Sequence, residues 1–340
     1  LMLCNLYFVT RNYKIMKSFN KIAQIISAEI AQINWNKEPR GLYEPIGYVL
    51  SLGGKRIRPA LTLMACNLFS DNVQPAVNSA LGLEIFHNFT LLHDDIMDRA
   101  DVRRGKATVH KKWDDNTAIL SGDVMQIASY QFMTQTPEKY LKKSLELFSK
   151  TAAEICEGQQ YDVDFEKRDS VKAEEYLEMI RLKTAVLLGC ALQIGAWIGG
   201  AGEEDAQLLY DFGINIGLAF QLKDDLLDVY GDEATFGKKI GGDILCNKKT
   251  YLLIYALELA KAKDADELQK WIKTTDENLS NEKILAVTSL YNRLEVKAIC
   301  EDKMQFFYTK AIANLEKVNV LDNKKQELRK LAEKLMFRND

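Results

Sequence analysis

The sequence predicts an all-α protein. Only five prolines occur, at positions 39, 45, 59, 75 and 137, so the long segment after Pro137 lacks the residue that breaks helices. Runs that alternate apolar and polar residues between turn pairs, the pattern of β-strands, do not occur in the sequence. Apolar residues instead recur at spacings of three and four, which is typical of amphipathic helices.

The helical pattern continues from the N-terminal part of the chain to its end. Amphipathic helices are predicted at 21–33, 140–165 and 326–337. Residues 185–200 and 252–260 carry few charges, and these stretches are too short to span a bilayer, so they are typical of central helices in a bundle. Breaks between helices are predicted at Gly53-Gly54, 99–108, Pro137, Gly199–Gly202 and 231–249.

Domain organisation is predicted to be simple. No repeat of fixed period, low-complexity tract or linker divides the helices, so residues 16–340 are interpreted as one helical domain. Residues 1–15 are interpreted as an upstream start or a cloning remnant, because Met16 precedes the first helical pattern. Their short apolar stretch is followed rather than preceded by charge, the wrong order for a signal peptide, and no apolar run of about 18 residues occurs. We therefore expect a soluble protein.

Composition narrows the classes of function. Of the 340 residues, 47% are apolar and 27% are charged, which is ordinary for a globular protein. The net charge of -3 gives no basic excess for nucleic acid, so any polyanion must be small and bound by local basic clusters. Six cysteines lie far apart without a CxxC pair, which indicates a reducing cytoplasm.

Two copies of a DDxxD motif are the main functional signal. Asp94 and Asp98 are four residues apart, so on a helix they share one face, separated by one turn of about 5.4 Å. Asp224 and Asp228 repeat this spacing at the end of a second apolar stretch. One copy alone is equally consistent with a solvated helix end, but two copies favour a shared cause. Proteins usually hold Mg²⁺ with one or two carboxylates plus substrate phosphates, so the sequence predicts a magnesium site between facing helices.

Three basic segments accompany the aspartates, at 53–59, 103–106 and 236–249. Each alone is equally consistent with a solvated surface. Their glycines let the backbone approach an anion closely, and the arginine fork matches phosphate oxygens. Acidic helices ringed by basic loops therefore indicate diphosphate substrates bridged by Mg²⁺.

The ordered motifs resemble those of the trans-isoprenyl diphosphate synthases, the polyprenyl synthases that make geranyl, farnesyl, geranylgeranyl and longer diphosphates. The motifs are GGKRIRP, LLHDDIMDRADVRRG, EGQQYDVD, RLKTAVLL, FQLKDDLLDVYGD and FGKKIGGDILCNKKTYLL, between about residues 50 and 255. The resemblance implies an all-α bundle around a deep central cavity, a homodimer, and a short-chain prenyltransferase of the farnesyl or geranylgeranyl type. It also implies three Mg²⁺ ions with the bound diphosphate, or Mn²⁺ in their place.

The resemblance assigns roles to individual residues. The metals are expected at Asp94, Asp98 and Asp224, with Asp95, Asp225 and Asp228 as their neighbours. Isopentenyl diphosphate is expected at Lys55, Arg58, His87 and Arg104. The allylic substrate is expected among Arg103, Lys183, Thr184, Gln221, Lys238 and Lys248. Contact with metal-bound water is expected from Gln159 and Asp162.

His87 has an alternative interpretation, because a lone histidine on an apolar helix is more often a core residue. Its spacing of seven residues from Asp94 does place it on the same helix face.

The implied reaction is head-to-tail condensation. The allylic diphosphate ionises, the double bond of isopentenyl diphosphate attacks the cation, and a proton passes to the departed pyrophosphate. The Thr184 hydroxyl and the Gln221 amide oxygen are expected to face the cation. A terpene cyclase is one alternative, although it leaves the 53–59 segment unexplained. An inactive regulatory subunit is another, although both aspartate clusters are intact.

The residues before Asp94 are expected to limit product length, because the growing tail would run back along this helix at about 1.5 Å per residue. At 100° per residue, Phe86 lies closer than Phe89 to the face of Asp94, so helix geometry favours Phe86 as the floor. The family resemblance instead favours Phe89, five residues before the cluster, with Thr90 where some farnesyl-producing relatives have an aromatic residue. Both residues are alternatively ordinary core. The expected product is geranylgeranyl diphosphate (C20), and the second expectation is farnesyl diphosphate (C15).

Overall fold

The computed structural model describes residues 16–232 and 240–337, and this part of the chain is almost entirely helical. The α-helices are α1 (Phe19–Gln32), α2 (Arg40–Ser51), α3 (Ile57–Phe69), α4 (Val77–Met97), α5 (Val109–Lys112), α6 (Asp115–Met133), α7 (Glu138–Glu166), α8 (Ala173–Ile180), α9 (Val186–Gly199), α10 (Glu203–Tyr230), α11 (Gly242–Leu245), α12 (Tyr251–Leu259), α13 (Lys263–Lys273), α14 (Ser280–Arg293), α15 (Val296–Lys317) and α16 (Asp322–Phe337). The predicted all-α class is confirmed.

Three shorter kinds of element complete the described chain. A π-helix covers Arg181–Ala185, and 3₁₀ turns cover Gln74–Ala76 and Glu277–Leu279. Two short strands, β1 (Val102–Arg103) and β2 (Lys106–Ala107), pair antiparallel in the loop after α4. This loop carries the arginines of the first aspartate motif.

Several helices begin where a polar side chain can accept a hydrogen bond from the first turn. The Ser18 hydroxyl accepts from the Lys21 amide at 3.4 Å at the start of α1. The Asp114 carboxylate accepts from the Thr117 amide at 2.7 Å at the start of α6. These contacts satisfy amide groups that have no partner within the helix, so they fix where each helix starts.

Helix α9 lies at the centre of the bundle, buried on all sides between α3 and α10. Glycines permit this close packing: an added Cβ at Gly195 would overlap the carbonyl oxygen of Thr62 on α3. On the other side, an added Cβ at Gly213 of α10 would lie 2.6 Å from the Gly189 amide nitrogen. The backbones of three helices are therefore in direct contact at the core.

The central apolar segment is longer than the sequence predicted. Residues Ala173–Gly199 form one continuous helical run of 27 residues, long and apolar enough to cross a membrane by length and composition alone. The expectation that no such run occurs is therefore wrong. Within the fold, 83% of its apolar window is buried, which is typical of a core helix.

Both aspartate motifs lie at the C-terminal ends of helices. Asp98 caps α4, and its amide donates to the Asp94 carbonyl at 2.9 Å, so the two residues keep helical spacing. Asp224 and Asp228 lie in the last two turns of α10. Because the C-terminal end of a helix is already negative, carboxylates there are unfavourable unless cations are near.

Candidate active site

Two adjoining cavities meet at Lys183 and Thr184. The first cavity has a volume of about 280 Å³ and is mainly apolar. Its lining residues include His87, Phe89, Thr90, His93, Asp94, Met97, Ile155, Cys156, Gln159, Val163 and Leu187. The second cavity has a volume of about 150 Å³ and is mainly polar. Its lining residues include Asp162, Tyr176, Gln221, Asp224, Asp225, Asp228, Asp243 and Lys248.

The junction of the cavities is a cluster of carboxylates and lysines. Lys183 Nζ lies 2.6 Å from Asp162 Oδ2 and 3.3 Å from Asp94 Oδ1, so one ammonium group bridges α7 and α4. Lys248 Nζ approaches the same Asp162 oxygen at 3.7 Å. Residues predicted from four separate sequence motifs therefore meet at one point.

Lys183 and Thr184 lie on the π-helix, which the sequence did not predict. A π-helix shifts the side chains that follow it, and such distortions are frequent at functional sites. The π-helix packs against α7 at Gly158, where an added Cβ would lie 2.8 Å from the Leu182 carbonyl carbon and still closer to the Lys183 amide nitrogen. The Thr184 hydroxyl donates to the Gln221 amide oxygen at 3.3 Å.

Arg103 is held by the second aspartate of the first motif. Its Nε donates to Asp95 at 2.8 and 2.9 Å, and its Nη2 lies 2.7 Å from Asp95 Oδ1 and 3.8 Å from Asp94 Oδ2. Burial raises the pKa of Asp95, whereas the Arg103 charge acts in the opposite direction. Asp95 therefore orients the arginine, while Asp94 faces the first cavity.

The second motif contains two carboxylates with fixed partners. Asp225 is buried and accepts a hydrogen bond from the Tyr176 hydroxyl. Burial raises the pKa of this carboxyl group to about 8. Asp228 accepts from the backbone amide of Asp243 at 3.0 Å. Asp224 has its place on the wall of the second cavity. Sequence reasoning missed Tyr176 and Asp243, because no spacing relates them to the aspartates.

Arg58 and His87 form a half-buried pair on the wall of the first cavity. Arg58 Nη1 lies 3.0 Å from His87 Nε2, and since arginine only donates, this nitrogen of the histidine is the acceptor. Burial lowers the pKa of Arg58 to about 10. Burial and the Arg58 charge lower the pKa of His87 well below its ordinary value, so the imidazole is neutral. The Nε of Arg58 is buried without a hydrogen-bond partner among the described residues.

A buried ion pair that the sequence did not predict fixes the loop before α3 to α4. Arg56 adopts a left-handed backbone (φ 49°), and its Nη1 lies 2.5 Å from Glu84 Oε1 on α4. Its Nη2 donates to the Leu50 carbonyl at 2.6 Å. Thus Arg56 is structural, whereas its neighbour Arg58 faces the cavity.

Arg104 and Lys55 lie at the same loop. Arg104 donates to the Gly53 carbonyl, and its guanidinium group lies against Gly54, where an added Cβ would be 2.8 Å from the Arg104 Cζ. Lys55 is exposed in this loop. Lys238 lies outside the described residues.

The predicted floor residues differ in their placement. Phe89 and Thr90 line the first cavity. Phe86 is fully buried behind Phe89, with ring centroids 5.4 Å apart, and packs edge-to-face on Phe148 of α7 at 5.2 Å. Phe86 is not among the cavity-lining residues, so it lies behind Phe89 and not at the cavity wall as helix geometry predicts.

The oxygen ligands at the cavity junction fit a hard divalent cation. Carboxylates at the ends of α4 and α10 require positive charge, and Lys183 already supplies a cation between Asp94 and Asp162. Within 16–232 and 240–337, no group of three His, Cys, Asp or Glu residues converges on one ion position. Mg²⁺ in proteins is usually bound by one or two carboxylates together with substrate phosphates and water, so carboxylates of this kind are compatible with it.

Comparison with known proteins gives consistent matches. Residues 39–290 match the sequence model of a family described as polyprenyl synthetase. A geranylgeranyl diphosphate synthase of Methanosarcina mazei is 41% identical over 68% of this chain and 72% of its own length. A geranylfarnesyl diphosphate synthase of Natronomonas pharaonis is 38% identical over 68% of this chain and 74% of its own length. A crystal structure of a geranylgeranyl pyrophosphate synthase is 45% identical, with a TM-score of 0.91, and covers 96% of this chain and 100% of that one.

Proposed function

The chain belongs to the polyprenyl synthetase family, and we infer that it is a trans-prenyltransferase condensing isopentenyl diphosphate with an allylic diphosphate to give a short-chain prenyl diphosphate. The observation that carries this function is the junction at Asp94, Lys183 and Asp162, where an apolar cavity opens onto a cluster of cations and carboxylates. The apolar cavity suits a prenyl tail. The charged junction suits its diphosphate.

We propose that the carboxylates Asp94, Asp98 and Asp224 hold Mg²⁺, with Mn²⁺ as a substitute and three ions in the loaded site. Bound metal would stabilise negative charge on the departing diphosphate. Lys183 and Lys248 lie where they can bind the same anion, and their ammonium groups are already fixed by Asp162. Such preorganised cations cost little reorganisation when the charge develops.

The cation that forms on the allylic carbon needs oxygen atoms near it and no water. Thr184 and Gln221 supply a hydroxyl and an amide oxygen beside the junction. Because the first cavity is mainly apolar, the tail excludes water from this region. We propose that the departed pyrophosphate takes the proton, so that no side chain has to act as the base.

Isopentenyl diphosphate would bind at the loop before α3. Arg58 and neutral His87 face the first cavity, and Arg104 lies beside Gly54. Lys55 is on the exposed side of the same loop. Glycine at position 54 leaves room for the Arg104 guanidinium, which would otherwise meet a Cβ.

We propose geranylgeranyl diphosphate as the main product, with farnesyl diphosphate next. Phe89 stands at the cavity wall about one and a half turns below Asp94, and Thr90 leaves space that an aromatic residue would fill. Product analysis by mass spectrometry with C5, C10 and C15 starters tests the proposal. Incubation with one allylic diphosphate alone should give no product, whereas a cyclase would consume it.

Variants of the floor refine this test. Thr90→Phe should shorten the product, and Phe89→Ala should lengthen it. Phe86→Ala should lengthen it less, because Phe86 acts only through Phe89. If none of the three changes the product distribution, another wall limits the chain.

We propose that residues 16–340 form one domain and that two copies of the chain form a homodimer through α6. Leu120 and Ile127 are more than half exposed and lie about two turns apart on one face of this helix, and Ile119 lies beside them. Apolar groups exposed together favour a protein interface. Light scattering should show a monomer for the double variant Leu120→Lys/Ile127→Lys.

We also propose a cytoplasmic location. The five cysteines in the described part of the chain are free, which supports it.

A further inference from the structure

His93 lies on the wall of the first cavity, directly before Asp94, and none of the roles above uses it. Its Nε2 lies 3.2 Å from the carbonyl oxygen of Ile119 on α6, and because a carbonyl only accepts, this nitrogen is the donor. Its ring also packs edge-to-face on Phe89, with centroids 4.8 Å apart. The imidazole therefore connects α6 to the floor residue of the cavity.

Gly122 of α6 provides the space in which this ring lies. A Cβ added at Gly122 would be 2.6 Å from His93 Cδ2, 3.1 Å from Cε1 and closer still to Nε2. Ordinary carbon contacts require about 3.5 Å or more, so even one methyl group would displace the ring by about 1 Å. Since α6 lies on one side and Phe89 on another, the ring can retreat into the cavity.

Phe89 is itself held by a series of aromatic contacts. Phe86 packs on Phe148 of α7 at 5.2 Å, and Phe148 packs on Tyr130 of α6 at 4.9 Å. Because Phe89 packs on Phe86 at 5.4 Å, this series of rings restricts movement of Phe89 away from His93. A displacement of the His93 ring narrows the space for the tail.

We propose that His93, seated against Gly122, sets the width of the first cavity below the first aspartate motif and so limits the length of the prenyl chain. This inference rests on the proposed function, because it concerns the product of the same reaction. It assigns length control to a contact between α4 and α6 in addition to the floor residues. Position 122 must be glycine, because any side chain there would overlap the His93 ring.

The test compares product distributions at equal conversion and equal substrate ratios. Gly122→Ala should lower the ratio of C20 to C15 product at least tenfold, because the displaced ring fills the cavity. His93→Ala should add C25 product at a tenth or more of the total. In the double variant the added methyl group meets no ring, so its products should match those of His93→Ala.

A matched control separates length control from general loosening of the α4 and α6 interface. Gly82 of α4 also packs on α6, where an added Cβ would lie 2.8 Å from the Ser129 carbonyl oxygen, but it does not line the first cavity. Gly82→Ala should lower the melting temperature and leave the product ratio unchanged.

Several results would overturn the inference. Equal product shifts in Gly122→Ala and Gly82→Ala would do so, and so would a Gly122→Ala shift that persists without His93. Should Gly122→Ala fail to fold, an unchanged product from His93→Ala alone decides against it. A wild-type chain without prenyl transfer would instead refute the proposed function.

Discussion

Gly158→Ala sets two effects of opposite sign against each other. Gly158 lies inside α7, where alanine would favour the helix by about 1 kcal/mol. The added Cβ would, however, lie 2.8 Å from the Leu182 carbonyl carbon and closer to the Lys183 amide nitrogen. These are backbone atoms of the π-helix, so no side chain can rotate to relieve the overlap. Overpacking typically costs about 1–3 kcal/mol, and a contact between backbones belongs at the upper end.

We therefore expect a net loss of stability of about 2 kcal/mol and a melting temperature lower by several degrees. Because the displaced segment carries Lys183 and Thr184, kcat should fall about a hundredfold, as expected for a shift of catalytic groups by about 1 Å. Thermal unfolding and a coupled assay for released pyrophosphate measure the two effects.

Gly47→Ala is the control, since its Cβ would have only an ordinary contact, 3.6 Å from Trp35 Cβ. It should not lower the melting temperature. A Gly158→Ala variant as stable and active as the wild type would refute the argument that close packing positions the π-helix.

Three further predictions concern charged residues. Asp94→Ala and Asp224→Ala should each lower kcat at saturating Mg²⁺ by at least about two orders of magnitude, or 2.7 kcal/mol, because both carboxylates line the cavity junction. Arg58→Ala should chiefly raise KM for isopentenyl diphosphate in steady-state assays, since Arg58 lines the first cavity beside His87. Glu84→Gln should destabilise the fold by about 3–5 kcal/mol in denaturant titrations, because Arg56 would keep a buried charge without its partner.

Each of these predictions has a control in the same chain. Asp101→Ala changes an exposed aspartate paired with Lys111 at 3.0 Å and should leave kcat unaltered. Near-native turnover in either metal-site variant would mean that the corresponding cluster is misassigned. An effect of Arg58→Ala on the allylic KM alone would exchange the two diphosphate pockets. Glu175→Gln breaks an exposed pair and should cost less than about 1 kcal/mol, and an equal loss from Glu84→Gln would contradict the importance of burial.

The sequence was sufficient for the helical class and for the residues that meet at the cavity junction. Spacing of four residues survives in the fold because Asp94 and Asp98 keep helical geometry to the end of α4. The RLKTAVLL motif predicts that Lys183 is a site residue, but it does not predict the π-helix on which Lys183 lies. The π-helix that carries it depends on packing against Gly158, which lies far away in sequence.

Other distinctions could not be made from sequence. Arg56 and Arg58 are two residues apart, but only the left-handed backbone of Arg56 turns it toward Glu84. A helical wheel ranked Phe86 above Phe89 because it treats the helix as an isolated cylinder. The Phe86 ring instead packs against Phe148 on α7. This contact between elements distant in sequence leaves Phe89 as the phenylalanine that lines the cavity.

The position of α9 between α3 and α10 has a consequence for the growing chain during synthesis. When residues 173–199 leave the ribosome, α3 can already cover one side of α9, but α10, which packs against another side, has not yet been made. The apolar run therefore remains partly open until residues 203–230 have also emerged and docked. Because exposed apolar surface drives aggregation of incomplete folds, the nascent protein is prone to aggregate during this interval.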